Sequence, residues 1–235
     1  MNLDSGESKV LCQGGVFPIW TKTPREQIIF VRGPQETART TMNETLWRID
    51  IDGSNLQEIA GGGHPSATDD GRLFFRSLSS DGELVFNSLS LHQQNSLDMI
   101  TSLTGYPFSI YPAVSPDGML GVFPTYTHLV VQRLETKQEI ASVEIGSVRS
   151  AGWSPDGRYI AFGSPYRQTP ALWLFEVSTA NTRLLASLPV ARPRWSPDGR
   201  FIAVDEQTKN EIVILDVSAL DLKDGLPPAR RKTDE

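Results

Sequence analysis

The sequence predicts an all-β chain, a β-propeller of five four-stranded blades, and three observations predict it. One short phrase recurs four times: ATDDGRLFFR at 67–76, VSPDGMLGVF at 114–123, WSPDGRYIAF at 153–162 and WSPDGRFIAV at 195–204. The copies start roughly 40 residues apart, which is the spacing of a repeat built from one small sheet. Each copy reads strand–turn–strand, with β-branched and aromatic runs on either side of the corner. The chain also carries 19 Gly and 16 Pro, which punctuate every unit and leave no sustained 3.6-residue apolar period for helices.

The elements of one unit follow from residues 147–188. SVRSAGW supplies a short first strand, and Ser154-Pro155-Asp156-Gly157 supplies the corner. Pro sets φ for a type I turn, Asp bonds nearby backbone amides, and Gly accepts the left-handed position that follows. RYIAFGS is the second strand, LWLFEV (172–177) the third and TRLLASL the fourth. The other third strands align as LWRIDI (46–51), LVFNSL (84–89), LVVQRL (129–134) and IVILDV (212–217). The other first strands align as VFPIW (16–20), HPSAT (64–68), YPAVS (111–115) and RPRWS (192–196). The first unit replaces the SPDG corner with TKTPRE. The blades expected are therefore about 14–60, 64–101, 105–145, 146–188 and 189–217.

Only four third strands are followed by a fourth: NLQEIA, LDMIT, EIASVEI and TRLLASL. After IVILDV comes SALDLKDGLPPARRKTDE, whose Pro pair and charges suit no central strand. SKVLCQGGVFP near the start resembles NLQEIAGGGHP at 55–65. Residues 8–13 are thus expected to close the last blade as its fourth strand, with Cys12 buried on it. Residues 1–221 then form a single domain, and 222–235 a C-terminal tail.

Composition narrows the function classes. A net charge of −6 disfavours a phosphate-tracking surface, so nucleic acid is not expected as a partner. No apolar run reaches the length of a membrane span, so no membrane insertion is expected. The first residues, MNLDSGESKVLCQGG, contain neither a basic nor an apolar leader region, which predicts a cytoplasmic protein. The one cysteine, Cys12, excludes an internal disulfide and a multi-cysteine zinc site.

The WSPDGRYIAF phrase resembles the repeat of TolB-type β-propellers, which is also found in the propeller domains of prolyl-oligopeptidase relatives. The resemblance runs over about residues 8–220. It implies an interaction platform, because TolB binds partner proteins through its propeller. The chain departs from TolB in having five expected blades where six are usual, and no preceding α/β domain. No G-x-S-x-G elbow is present for an appended hydrolase.

In a propeller the first strands line the central channel, so chemistry is expected at the channel mouth, opposite the SPDG corners. The five first strands and the joints entering them contain no Asp or Glu. A carboxylate pair for glycoside hydrolysis or an oxygen cage for calcium cannot be assembled from that wall, although Glu36, Asp205 or Glu206 could reach in from loops. The position before Pro, or its equivalent, aligns Phe17, His64, Tyr111, Ser150 and Arg192, with Arg149 and Arg194 adjacent. The loops around them offer Arg32, Arg39, Tyr106, Phe108, Tyr126, Tyr166 and Arg167. Tyr and Arg concentrate binding energy at interfaces.

The binding residues expected are His64, Tyr111, Arg149, Arg192, Arg194, Tyr166 and Arg167, taking a protein or peptide partner without catalysis. No metal or other cofactor is expected, because His64, His92 and His128 fall on strands at different radii. Trp153, Trp195 and Trp173 are expected in the core, and Asp117, Asp156 and Asp198 as turn formers. An alternative is a small-molecule lyase or hydrolase using His64 as base.

Overall fold

The computed structural model describes residues 10–33, 44–92, 97–103, 111–146, 148, 150–164, 170–206 and 211–218. All regular structure among them is β, and the five antiparallel sheets are the blades of a β-propeller. Two compact units divide the chain, residues 1–104 and 105–235.

The first unit holds two blades of four strands each. Blade 1 comprises β1 (Val16–Thr21), β2 (Gln27–Arg32), β3 (Thr45–Asp50) and β4 (Gln57–Gly61). Blade 2 comprises β5 (Gly63–Ala67), β6 (Arg72–Leu78), β7 (Leu84–Ser90) and β8 (Leu97–Ser102). Alternate residues of the middle strands point into a shared core of Ile29, Val31, Leu46, Leu73, Phe75 and Leu89. The alternation is the period-2 pattern of strands whose two faces meet different neighbours.

The second unit holds the other three blades. Blade 3 comprises β9 (Ala113–Val114), β10 (Leu120–Pro124), β11 (His128–Arg133) and β12 (Glu139–Glu144). Blade 4 comprises β13 (Ala151–Trp153), β14 (Tyr159–Ser164), β15 (Ala171–Glu176) and β16 (Asn181–Ala186). Blade 5 comprises β17 (Val190–Trp195), β18 (Phe201–Glu206) and β19 (Glu211–Asp216). Val122, Val131, Ile160, Phe162 and Phe175 fill the core between blades 3 and 4. Leu172, Leu174, Ile202 and Val204 fill the core between blades 4 and 5.

In the second unit tryptophans bind blades 4 and 5 each to the blade before it. The Trp153 indole donates to the Ala113 carbonyl (3.2 Å) and the Trp195 indole to the Gly152 carbonyl (3.1 Å). Trp153 and Trp195 are thus blade-to-blade contacts, as expected, and Trp173 is buried. Two glycines let β17 come close: a methyl group at Gly152 or at Gly163 would strike the backbone carbonyl of Pro193 or Val190.

The SPDG corners are closed hydrogen-bond circuits. Ser154 Oγ donates to the Asp156 carboxylate and accepts from the Tyr159 amide (2.9 Å), while Asp156 accepts from the Arg158 amide (3.1 Å). Ser115–Asp117 and Ser196–Asp198 repeat the circuit, and Thr68–Asp70 adapts it. Gly118, Gly157 and Gly199 follow with φ of 69°, 70° and 71°, the left-handed position that glycine fills without steric cost.

Of the closing strand expected at 8–13, residues 8 and 9 fall outside the described residues, and residues 10–13 lie in no strand. Blade 5 accordingly has three strands among the described residues. Blade 1 itself holds the segment: Arg32 donates to the Gln13 carbonyl (3.4 Å), and Gly15 lies against the Phe30 ring. Cys12 is therefore half-buried beside Gly15 instead of paired in a ladder.

Candidate functional site

The site builds from a defect repeated in the first strands. The pairing of β1 with β2 slips between Val16 and Ile19, that of β5 with β6 between Gly63 and Ser66, and that of β17 with β18 between Ala191 and Arg194. Each slip is a β-bulge, which bends a strand and re-aims a side chain. The bulged residues are Phe17, His64 and Arg192, with φ of 52°, 56° and 50°. Each precedes a proline, namely Pro18, Pro65 and Pro193. A side chain before proline favours extended backbone, and a non-glycine residue in the left-handed region costs about 1–3 kcal/mol. The surrounding sheet has to enforce this conformation three times over.

Neighbouring blades bring these positions together within each unit. In the first unit the Phe17 and His64 rings meet with centroids 4.7 Å apart and planes tilted by 47°. In the second unit Tyr111 bridges Ser150 in parallel, and the Ser150 hydroxyl accepts the Arg192 amide proton (3.1 Å). Tyr111, Ser150 and Arg192 thus form one row across blades 3, 4 and 5. Of the residues expected at the site, His64, Tyr111, Arg192 and Arg194 occupy these rows and their flank. Arg149, Tyr166 and Arg167 lie outside the described residues, as do Glu36, Arg39, Tyr106 and Phe108. Tyr126 is exposed beyond the end of β10. Arg32 stacks on the Trp47 ring, 4.5 Å from its centroid.

Electrostatics concentrate on blade 5. Arg192 Nη1 lies 3.2 Å from Asp205 Oδ2, a pair exposed on both sides. Arg194 Nη1 donates to the Pro193 carbonyl (3.1 Å). Arg194 is exposed as a residue, while neighbouring protein atoms partly desolvate its guanidinium. Its pKa is lowered first by that desolvation and second by the Arg192 charge, and Asp205 opposes the shift. Arginine stays protonated regardless, so Arg192, Arg194 and Asp205 together carry one net positive charge.

Sequence reasoning missed one acid. Glu44, at the entry to β3, folds its carboxylate over Gly63, where any side chain would overlap it, and its carbonyl accepts the Gly62 amide (2.7 Å). Carboxylates therefore reach the bulges from neighbouring strands, Glu44 beside the His64 bulge and Asp205 on Arg192. The glycine pair at 62–63 was the available signal, since it makes room for a folded-over side chain. Among the described residues no three His, Cys, Asp or Glu side chains cluster as metal ligands. No described helix is long and apolar enough to cross a membrane.

Comparison with solved structures places the architecture. TolB from Acinetobacter baumannii superposes with a TM-score of 0.64 at 20% identity, covering 77% of this chain and 48% of that one. A protein assigned as TolB in Agrobacterium tumefaciens gives a TM-score of 0.61 at 15% identity, covering 87% and 71%. The fold is that of a TolB-type β-propeller. A chain of a mitotic checkpoint complex gives 0.58 at 15% identity, covering 92% of this chain and 80% of that one. The chain spans about half the length of the Acinetobacter TolB. No family model and no curated protein matches the sequence.

Proposed function

We propose that this TolB-type propeller is a non-enzymatic binding platform, and that the row Tyr111–Ser150–Arg192 with Arg194 captures an acidic peptide segment of a protein partner. The observation that carries this reading is the strained bulge at Arg192. Backbone strain persists where surrounding structure over-determines it, and it gathers at binding positions. Here it presents an exposed guanidinium in one row with the half-buried Tyr111. A carboxylate can accept a two-pronged bond from Arg192, with Arg194 adding charge and the Tyr111 ring adding apolar contact. The fold similarity to TolB supports a scaffold in keeping with this role.

The test is fluorescence anisotropy against an array of acidic and neutral peptides, comparing wild type with the Arg192→Ala/Tyr111→Ala double variant. Wild type should select acidic peptides, and the double variant should lose them with a nearly unchanged melting temperature. Equal binding by both proteins, or selection of neutral peptides, would refute the assignment.

A further inference from the structure

The first unit holds a carboxylate that its own neighbours leave unused. Glu44 enters β3 of blade 1, and its side chain reaches across to β5 of blade 2, where a methyl carbon at Gly63 would sit 2.9 Å from its carboxyl carbon. The carboxylate thus fills the space that a side chain at position 63 would need. The Gly62 amide fixes the other end, donating to the Glu44 carbonyl (2.7 Å). Glu44 is half-buried, and among the described residues no hydrogen bond or ion pair reaches its carboxylate. A charge partly withdrawn from water calls for a partner. Beside it stands an aromatic pair. Successive strand residues face opposite ways, yet Glu44 against Gly63 and Phe17 against His64 both come from blade 1. The bulge, with His64 at a φ of 56°, therefore turns the imidazole to the side on which the carboxylate lies. The Phe17 and His64 rings, 4.7 Å apart, are half-buried too.

We propose that Glu44, Phe17 and His64 bind the side-chain ammonium of a lysine on a partner peptide. Glu44 is its counter-ion, and the rings receive the methylene stem and attract the cation through their faces. A hard metal ion is the poorer occupant, because calcium gathers about six to eight oxygen ligands and one carboxylate supplies at most two. An ammonium needs only acceptors for its few N–H groups and tolerates an apolar flank. Phe17, Glu44, Gly63 and His64 all belong to residues 1–104, so the arrangement is complete within one unit. It shares no residue with the Tyr111–Ser150–Arg192 row, and either reading can fail without the other.

Nuclear magnetic resonance on the full chain tests it, with Nα-acetyl-lysine amide as probe and the uncharged Nα-acetyl-norleucine amide as control. The ring protons of His64, assigned with a His64→Asn variant, should shift and saturate with the lysine probe at millimolar concentrations and stay in place with the control. Glu44→Gln should weaken binding roughly tenfold, the worth of a hydrogen bond to a charged group. Gly63→Ala keeps every charge but puts a methyl where the carboxylate lies, and should weaken binding comparably. Gly63 is outside the left-handed region and meets only the flexible end of Glu44, so this variant keeps its fold, and circular dichroism checks it. A His64 signal indifferent to the lysine probe overturns the proposal. So do equal shifts with the norleucine control or with potassium chloride at the same ionic strength, or a Gly63→Ala protein that binds like wild type. A Glu44→Gln protein that binds lysine normally but melts lower overturns it as well, and makes Glu44 a counter-charge to the buried Arg76 opposite Gly63.

Discussion

Gly152→Ala tests the packing on which the site depends. The added methyl carbon would sit 2.5 Å from the Pro193 carbonyl oxygen and 3.3 Å from its carbon, both backbone atoms. Cβ atoms essentially never come within 3.0 Å of another atom, so β17 would have to retreat by about half an ångström. Overpacking of this kind costs about 1–3 kcal/mol. Alanine recovers about 0.4–1 kcal/mol by restricting the unfolded chain. The net loss is about 1–2 kcal/mol, or roughly 2–8 °C in melting temperature for a chain of this size. Pro193 lies between Arg192 and Arg194, so peptide affinity should fall even in the folded variant. Differential scanning fluorimetry gives the first readout and anisotropy the second. Gly61→Ala is the control, because a methyl there meets nothing within 4 Å. If Gly152→Ala melts with Gly61→Ala, the close approach of β13 and β17 does not govern stability and the reasoning fails.

Other perturbations have defined signs. Asp205→Asn removes the exposed carboxylate that competes for Arg192, and should raise affinity for an acidic peptide by up to roughly fivefold, the worth of a surface ion pair. Trp195→Phe deletes the indole bond to Gly152 and should cost about 1 kcal/mol in a denaturant titration. The Ser196 hydroxyl, followed by the Arg200 amide, holds the Asp198 carboxyl below the usual carboxylate range. A depressed carboxyl contributes stability above its unfolded pKa of about 3.9 and loses it as pH falls through the lower folded value. The melting gap between wild type and Asp198→Asn should therefore be constant from neutral pH to about pH 4 and close below it. A gap that widens in acid would contradict the hydrogen-bond assignment.

The turn end of each blade was legible residue by residue. Ser154, Asp156 and Gly157 specify their corner by local chemistry alone, and the structure repeats it at every copy. The tryptophans were legible too, because a large apolar residue beside a corner has only the neighbouring blade to meet. The alignment of Phe17 with His64, and of Tyr111 with Ser150 and Arg192, also predicted which residues stand side by side. The backbone at those residues was not legible. Propensity argues against left-handed φ before proline, and only the register of a second strand reveals the bulge. Glu44 was hidden for the same reason, since its approach depends on pairing across strands rather than along the chain, whereas Asp205 was among the carboxylates expected to reach in.

The two ends of the repeat store opposite kinds of chemistry. At the corners every carboxylate is spent: Asp117, Asp156 and Asp198 each bind a serine hydroxyl and a backbone amide, and glycine removes the strain. Such a corner has little left to offer a ligand. At the bulges the balance reverses, with Phe17, His64 and Arg192 in the left-handed backbone region that glycine fills at the corners. The absence of acids from the first strands therefore did not mean an acid-free site. Asp205 restrains Arg192 from the next strand, through a pair weak enough for a ligand carboxylate to displace. In the proposed reading a ligand carboxylate takes the place of Asp205 on Arg192, at a point where the regularity of the repeat breaks.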